Sequence, residues 1–115
     1  MVQKIVQTIN PTTESVIQTY PVLSQAQAYQ KIAKAHEMYL DWRKTPLEKR
    51  CQLILKLAEI LRAKKHEYAR LMAVEMGKPI TSGLSEIEKC AWVCEHYAKE
   101  ARNYLSDEIV QTNMK

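Results

Sequence analysis

At 115 residues and 46% hydrophobic content, the chain is long enough for one modest packed domain, or for part of a larger one. Two glycines and no phenylalanine supply too little turn and strand chemistry for an all-β fold. The formal charge of +4, from 17 basic and 13 acidic residues, is mild and scattered, which argues against a nucleic-acid-binding face. No segment approaches the length of a membrane span, and Met1–Lys4 lacks the apolar run of a signal peptide.

Residues 1–21 contain the extended part. Ile5, Val6 and Ile9 precede Asn10-Pro11-Thr12-Thr13-Glu14, and Val16, Ile17 and Tyr20 follow. Asn, Pro and Thr provide turn chemistry between two β-prone runs, so the spacing predicts a hairpin ended by Pro21. A lone hairpin is marginal in water and must pack on something.

Ser24 with Gln27 three residues later is a capping box that starts the first helix. Ala28, Ile32, Ala35, Tyr39 and Trp42 fall on one stripe of it, and it ends near Lys44. Thr45-Pro46-Leu47-Glu48 reads as a second capping box, with proline at the first helical position. Leu47, Cys51, Ile54, Ala58 and Leu61 form the inner stripe of the second helix, and Leu53, Leu57 and Ile60 widen it. An arc that wide predicts burial on more than one side. A shorter pattern through Tyr68, Leu71 and Met72 runs from His66 to Met76 as a bent continuation.

Gly77 then sits where a helix stops, since glycine carries no Cβ penalty in the left-handed conformation. Lys78 is placed to face the last carbonyls, and Pro79 suits the first turn of a new helix. Glu75 is the odd residue in this corner. A carboxylate in the last turn lies at the negative end of the helix dipole, at a cost of roughly 0.3–1 kcal/mol. It either faces water, pairs with Lys78, or holds a cation or a backbone amide from elsewhere. The final helix recurs through Ile80, Leu84, Ile87, Ala91, Cys94, Ala98, Ala101 and Leu105 and ends around Ser106-Asp107. Gly83 marks either close helix packing or a late start. Residues 108–115 read as the start of a strand with nothing to pair it. The fold class is therefore mainly α: an N-terminal β-hairpin followed by three to four amphipathic helices.

Few residues suggest chemistry. Arg43, Lys44, Lys49 and Arg50 form one basic cluster, and Arg62, Lys64, Lys65 and His66 another; both alternate with apolar residues and read as solvated helix faces. Cys51, Cys90 and Cys94 sit inside helical patterns and read as reduced, buried small hydrophobes of a cytosolic protein. Cys90 and Cys94 lie one turn apart, too far for an unstrained disulfide and too few for zinc. Cys51 has no activating neighbour in view, and His36, His66 and His96 are single and scattered. Gly77-Lys78 lacks the other glycines of a phosphate loop. The residues by themselves form no complete catalytic constellation.

Several pieces in order nevertheless carry a resemblance. They are Ile9-Asn10-Pro11-Thr12-Thr13-Glu14, Trp42-Arg43, Arg50 with the leucine-rich run after it, Glu75-Met76-Gly77-Lys78-Pro79-Ile80, and Glu86 through Ala98. Their order and spacing resemble the N-terminal segment of the aldehyde dehydrogenase superfamily. The last piece, with its cysteine pair, is most similar to the succinate-semialdehyde dehydrogenase branch. One departure is Thr13-Glu14, where the family usually has glycine after threonine.

The resemblance implies a fragment of an α/β fold, with residues 1–21 as hairpin and 22–107 as the helical flank of a nucleotide-binding domain. It implies a parent enzyme, cytoplasmic and homo-oligomeric, that oxidises an aldehyde to its acid with NAD or NADP. The nucleotide-binding strands and catalytic groups of that enzyme come later in its sequence, so this chain contributes scaffold and no catalytic or cofactor-binding residue. It further implies a structural monovalent cation held by the carbonyls of Thr8 and Ile9 and by Glu75, and places Lys89 and Val93 on the border of the aldehyde tunnel. The rival reading is a free-standing helical interaction module that uses the amphipathic stretches as a bundle.

Overall fold

A computed structural model describes residues 4–112. Strands β1 (Ile5–Ile9) and β2 (Val16–Pro21) are followed by helices α1 (Gln25–Trp42), α2 (Leu47–Ala63), α3 (Lys65–Met76) and α4 (Ile80–Tyr104). The strands pair antiparallel, Ile5 opposite Pro21 and Thr8 opposite Gln18, and the register then shifts so that Ile9 faces Val16. Ile17 is thus an extra residue on β2, a bulge beside Thr8 and Ile9. In the turn, the Asn10 Oδ1 accepts the N–H groups of Thr12 at 2.9 Å and Thr13 at 3.3 Å. Glu14 closes it with φ 59°. The left-handed position that the resemblance assigns to glycine is therefore kept here by a residue with a side chain, at a strain of about 1 kcal/mol.

The Ser24–Gln27 capping box forms as expected: the Gln27 N–H donates to Ser24 Oγ at 3.3 Å, and the Ser24 N–H to Gln27 Oε1 at 2.9 Å. The one expected at Thr45–Glu48 does not. Pro46 occupies the cap position and α2 has no side-chain cap. The Thr45 N–H instead closes the α1–α2 turn by donating to Trp42 O at 2.9 Å, and Glu48 lies 3.5 Å from Arg102. α3 does continue α2 after a break at the single residue Lys64. It stops at Gly77, φ 70°, whose N–H reaches Ala73 O at 3.0 Å. α4 ends at Tyr104, before the expected Ser106.

α2 and α3 both pack on α4. The buried set is small: Ala58, Ala69, Ile87 and Ala91, with Gly83 among them. Gly83 lies within α4, and a Cβ there would stand 3.1 Å from the Cα and Cβ of Ala69. Close packing, and not a late start, explains this glycine. α1 is different. None of its residues is buried, and Tyr29 and Ile32 are 62% and 64% exposed. One face of α2 is open as well, through Leu53, Leu57 and Ile60. Residues 108–112 are exposed and form no strand, as follows from the lack of a neighbour to complete a ladder; 113–115 lie outside the described residues.

The accessible surface is 10199 Å². A compact chain of 13.4 kDa exposes about 6,500 Å². The radius of gyration, 20.8 Å, compares with about 13 Å for a compact domain of this length. A self-sufficient bundle would have folded α1 onto the other helices, so these dimensions contradict the free-standing module.

Candidate functional site

The corner between α3 and α4 meets the hairpin turn. A Cβ on Gly77 would stand 3.3 Å from Pro11 Cγ, so the turn and the corner touch at the one helix terminus where glycine is needed for φ as well. Glu75, in the last turn of α3, is half-buried and has no ion-pair partner among the described residues. Lys78, the partner suggested by sequence, turns its ammonium to Glu86 of α4 in a close ion pair. On the hairpin side, Thr8 Oγ1 is buried without a hydrogen-bond partner, beside the bulge. Glu75 is left with the dipole conflict, and Thr8 with an unused acceptor.

Lys89 and Val93 line one open concavity on α4 together with Ser85, Glu86, Cys90 and Cys94. The Lys78–Glu86 pair connects this concavity to the corner. The cysteines do not follow the expectation of burial. Cys90 is exposed and Cys94 half-buried, because nothing in the described chain covers that side of α4; Cys51, on α2, is half-buried as well. All three thiols are free.

Arg62 has a role that sequence reasoning missed. Its Nε donates to Glu88 Oε1 at 2.6 Å, and its two terminal nitrogens grip both oxygens of Glu95, one of them at 2.9 Å. This fork ties the end of α2 to the middle of α4. The hydrogen bonds from Arg62 hold the Glu95 carboxyl below its ordinary value, and those from Glu95 and then Glu88 raise the guanidinium. Glu88 and Glu95 are seven residues apart, two helical turns on one face, and that acidic pair was the available signal. Arg50 Nε is also buried without a partner, beside a crevice between α2 and α4 lined by Cys51 and Tyr97.

Among the described residues no group of three His, Cys, Asp or Glu side chains could hold a metal. Neither glycine can cradle a phosphate: Gly77 ends a helix against Pro11, and Gly83 is packed on Ala69. No helix among the described residues is long and apolar enough to cross a membrane.

A hairpin touching a helical corner, three helices around a small buried set, and one helix with no buried residue make a mainly helical piece of a larger fold. The aldehyde dehydrogenase family model matches residues 2–115, and the chain belongs to that family. It is 42% identical over 106 residues to a probable NADP(+) succinate-semialdehyde dehydrogenase of Synechocystis sp., covering 92% of this chain and 23% of that protein. It is 38% identical over 102 residues to the NADP(+) succinate-semialdehyde dehydrogenase of Mycobacterium avium, covering 88% of this chain and 22% of that one. The crystal structure of succinic semialdehyde dehydrogenase from Streptococcus pyogenes with NADP+ superposes with a TM-score of 0.86 at 32% identity, over 93% of this chain and 24% of that one. The chain thus spans about a quarter of the length of these relatives.

Proposed function

We propose that the protein carrying this chain oxidises succinate semialdehyde to succinate with NADP as hydride acceptor and water as the source of the second oxygen. Residues 1–115 are one partial domain of it and contribute scaffold, with every catalytic and cofactor-binding group lying outside them. The observation that carries this reading is the 42% identity to a protein so named, which extends over 92% of the chain and not over one motif.

Within that enzyme, residues 1–21 and 22–107 form the hairpin and helical flank, and 108–115 begin a strand that a later segment pairs. The carbonyls of Thr8 and Ile9 and the carboxylate of Glu75 hold a monovalent cation. Its support is the unpaired, half-buried Glu75 and the orphan Thr8 Oγ1 beside the bulge. A hard ion with a mixed carbonyl and carboxylate shell suits both. Lys89 and Val93 border the path of the aldehyde. The enzyme is cytoplasmic and homo-oligomeric.

The test is NADPH formation from succinate semialdehyde, followed with the full-length protein and with residues 1–115 alone. The full-length protein is expected to turn over, and residues 1–115 to match a blank without protein. Turnover by residues 1–115, or a full-length protein inert towards this aldehyde, overturns the reading.

A further inference from the structure

We infer that Cys90 and Cys94 form a two-thiolate site for a soft monovalent metal ion of the Cu(I) type. The two thiols are free, lie one turn apart on α4, and open into the same concavity. Geometry decides what the pair can do. Residues at this helical spacing have Cβ atoms about 5–6 Å apart. A disulfide needs about 3.8 Å between Cβ atoms, so the pair does not close on itself without unwinding the helix. A thiolate–metal bond is about 2.3 Å, so an ion between two sulfurs spans about 4.6 Å, which side chains on adjacent turns reach from ordinary rotamers.

The choice of ion follows from the donor count. Zinc takes four ligands, and no third His, Cys, Asp or Glu joins these two among the described residues. Soft thiolate donors select a soft ion, and a two-coordinate one is complete with two. Of the oxygen-bearing side chains that line the concavity, Ser85 is engaged with Thr81 O at 3.1 Å and Glu86 with Lys78, and Val93 adds an apolar wall. Binding balances as one Cu(I) and two thiols going to one bis-thiolate complex and two protons released to solvent, with no change of oxidation state.

The experiment is a Cu(I) titration of the reduced full-length protein against a colorimetric Cu(I) chelator, in wild type, Cys90→Ser, Cys94→Ser, the double variant and Cys51→Ser. One equivalent of Cu(I) is expected to be lost in full on removing either Cys90 or Cys94, with affinity at that site falling at least about tenfold because the second thiolate no longer binds intramolecularly. The double variant should lose no more than either single one, and Cys51→Ser should keep wild-type stoichiometry. Equal retention in wild type and both single variants overturns the inference. So does an additive loss, half from each cysteine, which would mean two independent thiols. Far-ultraviolet circular dichroism of each variant separates loss of the site from loss of the helix, and α4 is expected intact in all of them.

Discussion

Residues 1–115 produced alone should not persist as a folded monomer. The perturbation is removal of everything that faces α1, the open side of α2 and the hairpin. The surface of 10199 Å² exceeds the compact expectation by about 3,700 Å². If about 57% of that excess is apolar, as on ordinary protein surfaces, about 2,100 Å² stays wet. At about 25 cal/mol per Å² this forgoes about 50 kcal/mol of burial, several times the net stability of about 5–15 kcal/mol that a domain possesses. The buried set of Ala58, Ala69, Ile87 and Ala91 cannot offset a deficit of that size. Light scattering behind a sizing column should show association, and near-ultraviolet circular dichroism should show weak aromatic signal and no sharp thermal transition. A monodisperse monomer with a cooperative melt would refute the reasoning and restore the bundle.

Four further outcomes are expected in the full-length protein. Glu75→Gln keeps the shape of the corner and removes its charge, so the melting temperature of wild type should depend on potassium or sodium at constant ionic strength and that of the variant should not; identical responses would mean that no ion binds there. Glu95 has a folded-state value below its unfolded one, so the stability it contributes is present above the ordinary carboxylate range and lost as pH falls through the folded value. Urea midpoints of wild type and Glu95→Gln should therefore differ near neutrality and converge in acid, and a constant gap across pH would contradict the fork with Arg62. Gly83→Val places new atoms against Ala69, where even a Cβ would sit at 3.1 Å, and should cost about 1–3 kcal/mol by chemical denaturation, whereas an unchanged midpoint would show that α3 and α4 can separate. Glu14→Gly relieves the strain at φ 59° and loses some of it to unfolded-state entropy, so a midpoint unchanged or raised by up to about 1 kcal/mol is expected, and a clear loss would assign the Glu14 side chain a contact of its own.

Local signals in the sequence were legible wherever the chain alone decides the outcome. Gly77 and Pro79 mark the corner because φ at those positions is a property of the residue, and Ser24 with Gln27 marks the start of α1 because both partners lie within one turn. The same pattern at Thr45–Glu48 misled because the Thr45 N–H was taken by Trp42, a bond set by the tightness of the α1–α2 turn and invisible in the S/T-x-x-E spacing. Cys90 sits inside a helical pattern that predicts burial, yet it is exposed, since a pattern shows which face seeks cover and not whether these residues supply it. The Arg62 fork needs 26 and 33 residues of separation to close, and a basic cluster read along the chain cannot show it. For the corner site, the dipole conflict at Glu75 was legible, whereas the rotation of Lys78 towards Glu86 and the bulge that isolates Thr8 are tertiary.

The solitude of α1 has a consequence for biosynthesis. α2, α3 and α4 are sequence neighbours and can form their contacts as soon as they leave the ribosome, but α1 buries none of its residues among them. As α1 emerges, at about 5–20 residues per second, the nascent chain carries an amphipathic helix with Tyr29, Ile32, Met38 and Trp42 facing water until something outside the described residues covers it. Such a helix is a natural stretch for a chaperone to hold, and slowing translation would lengthen its stay.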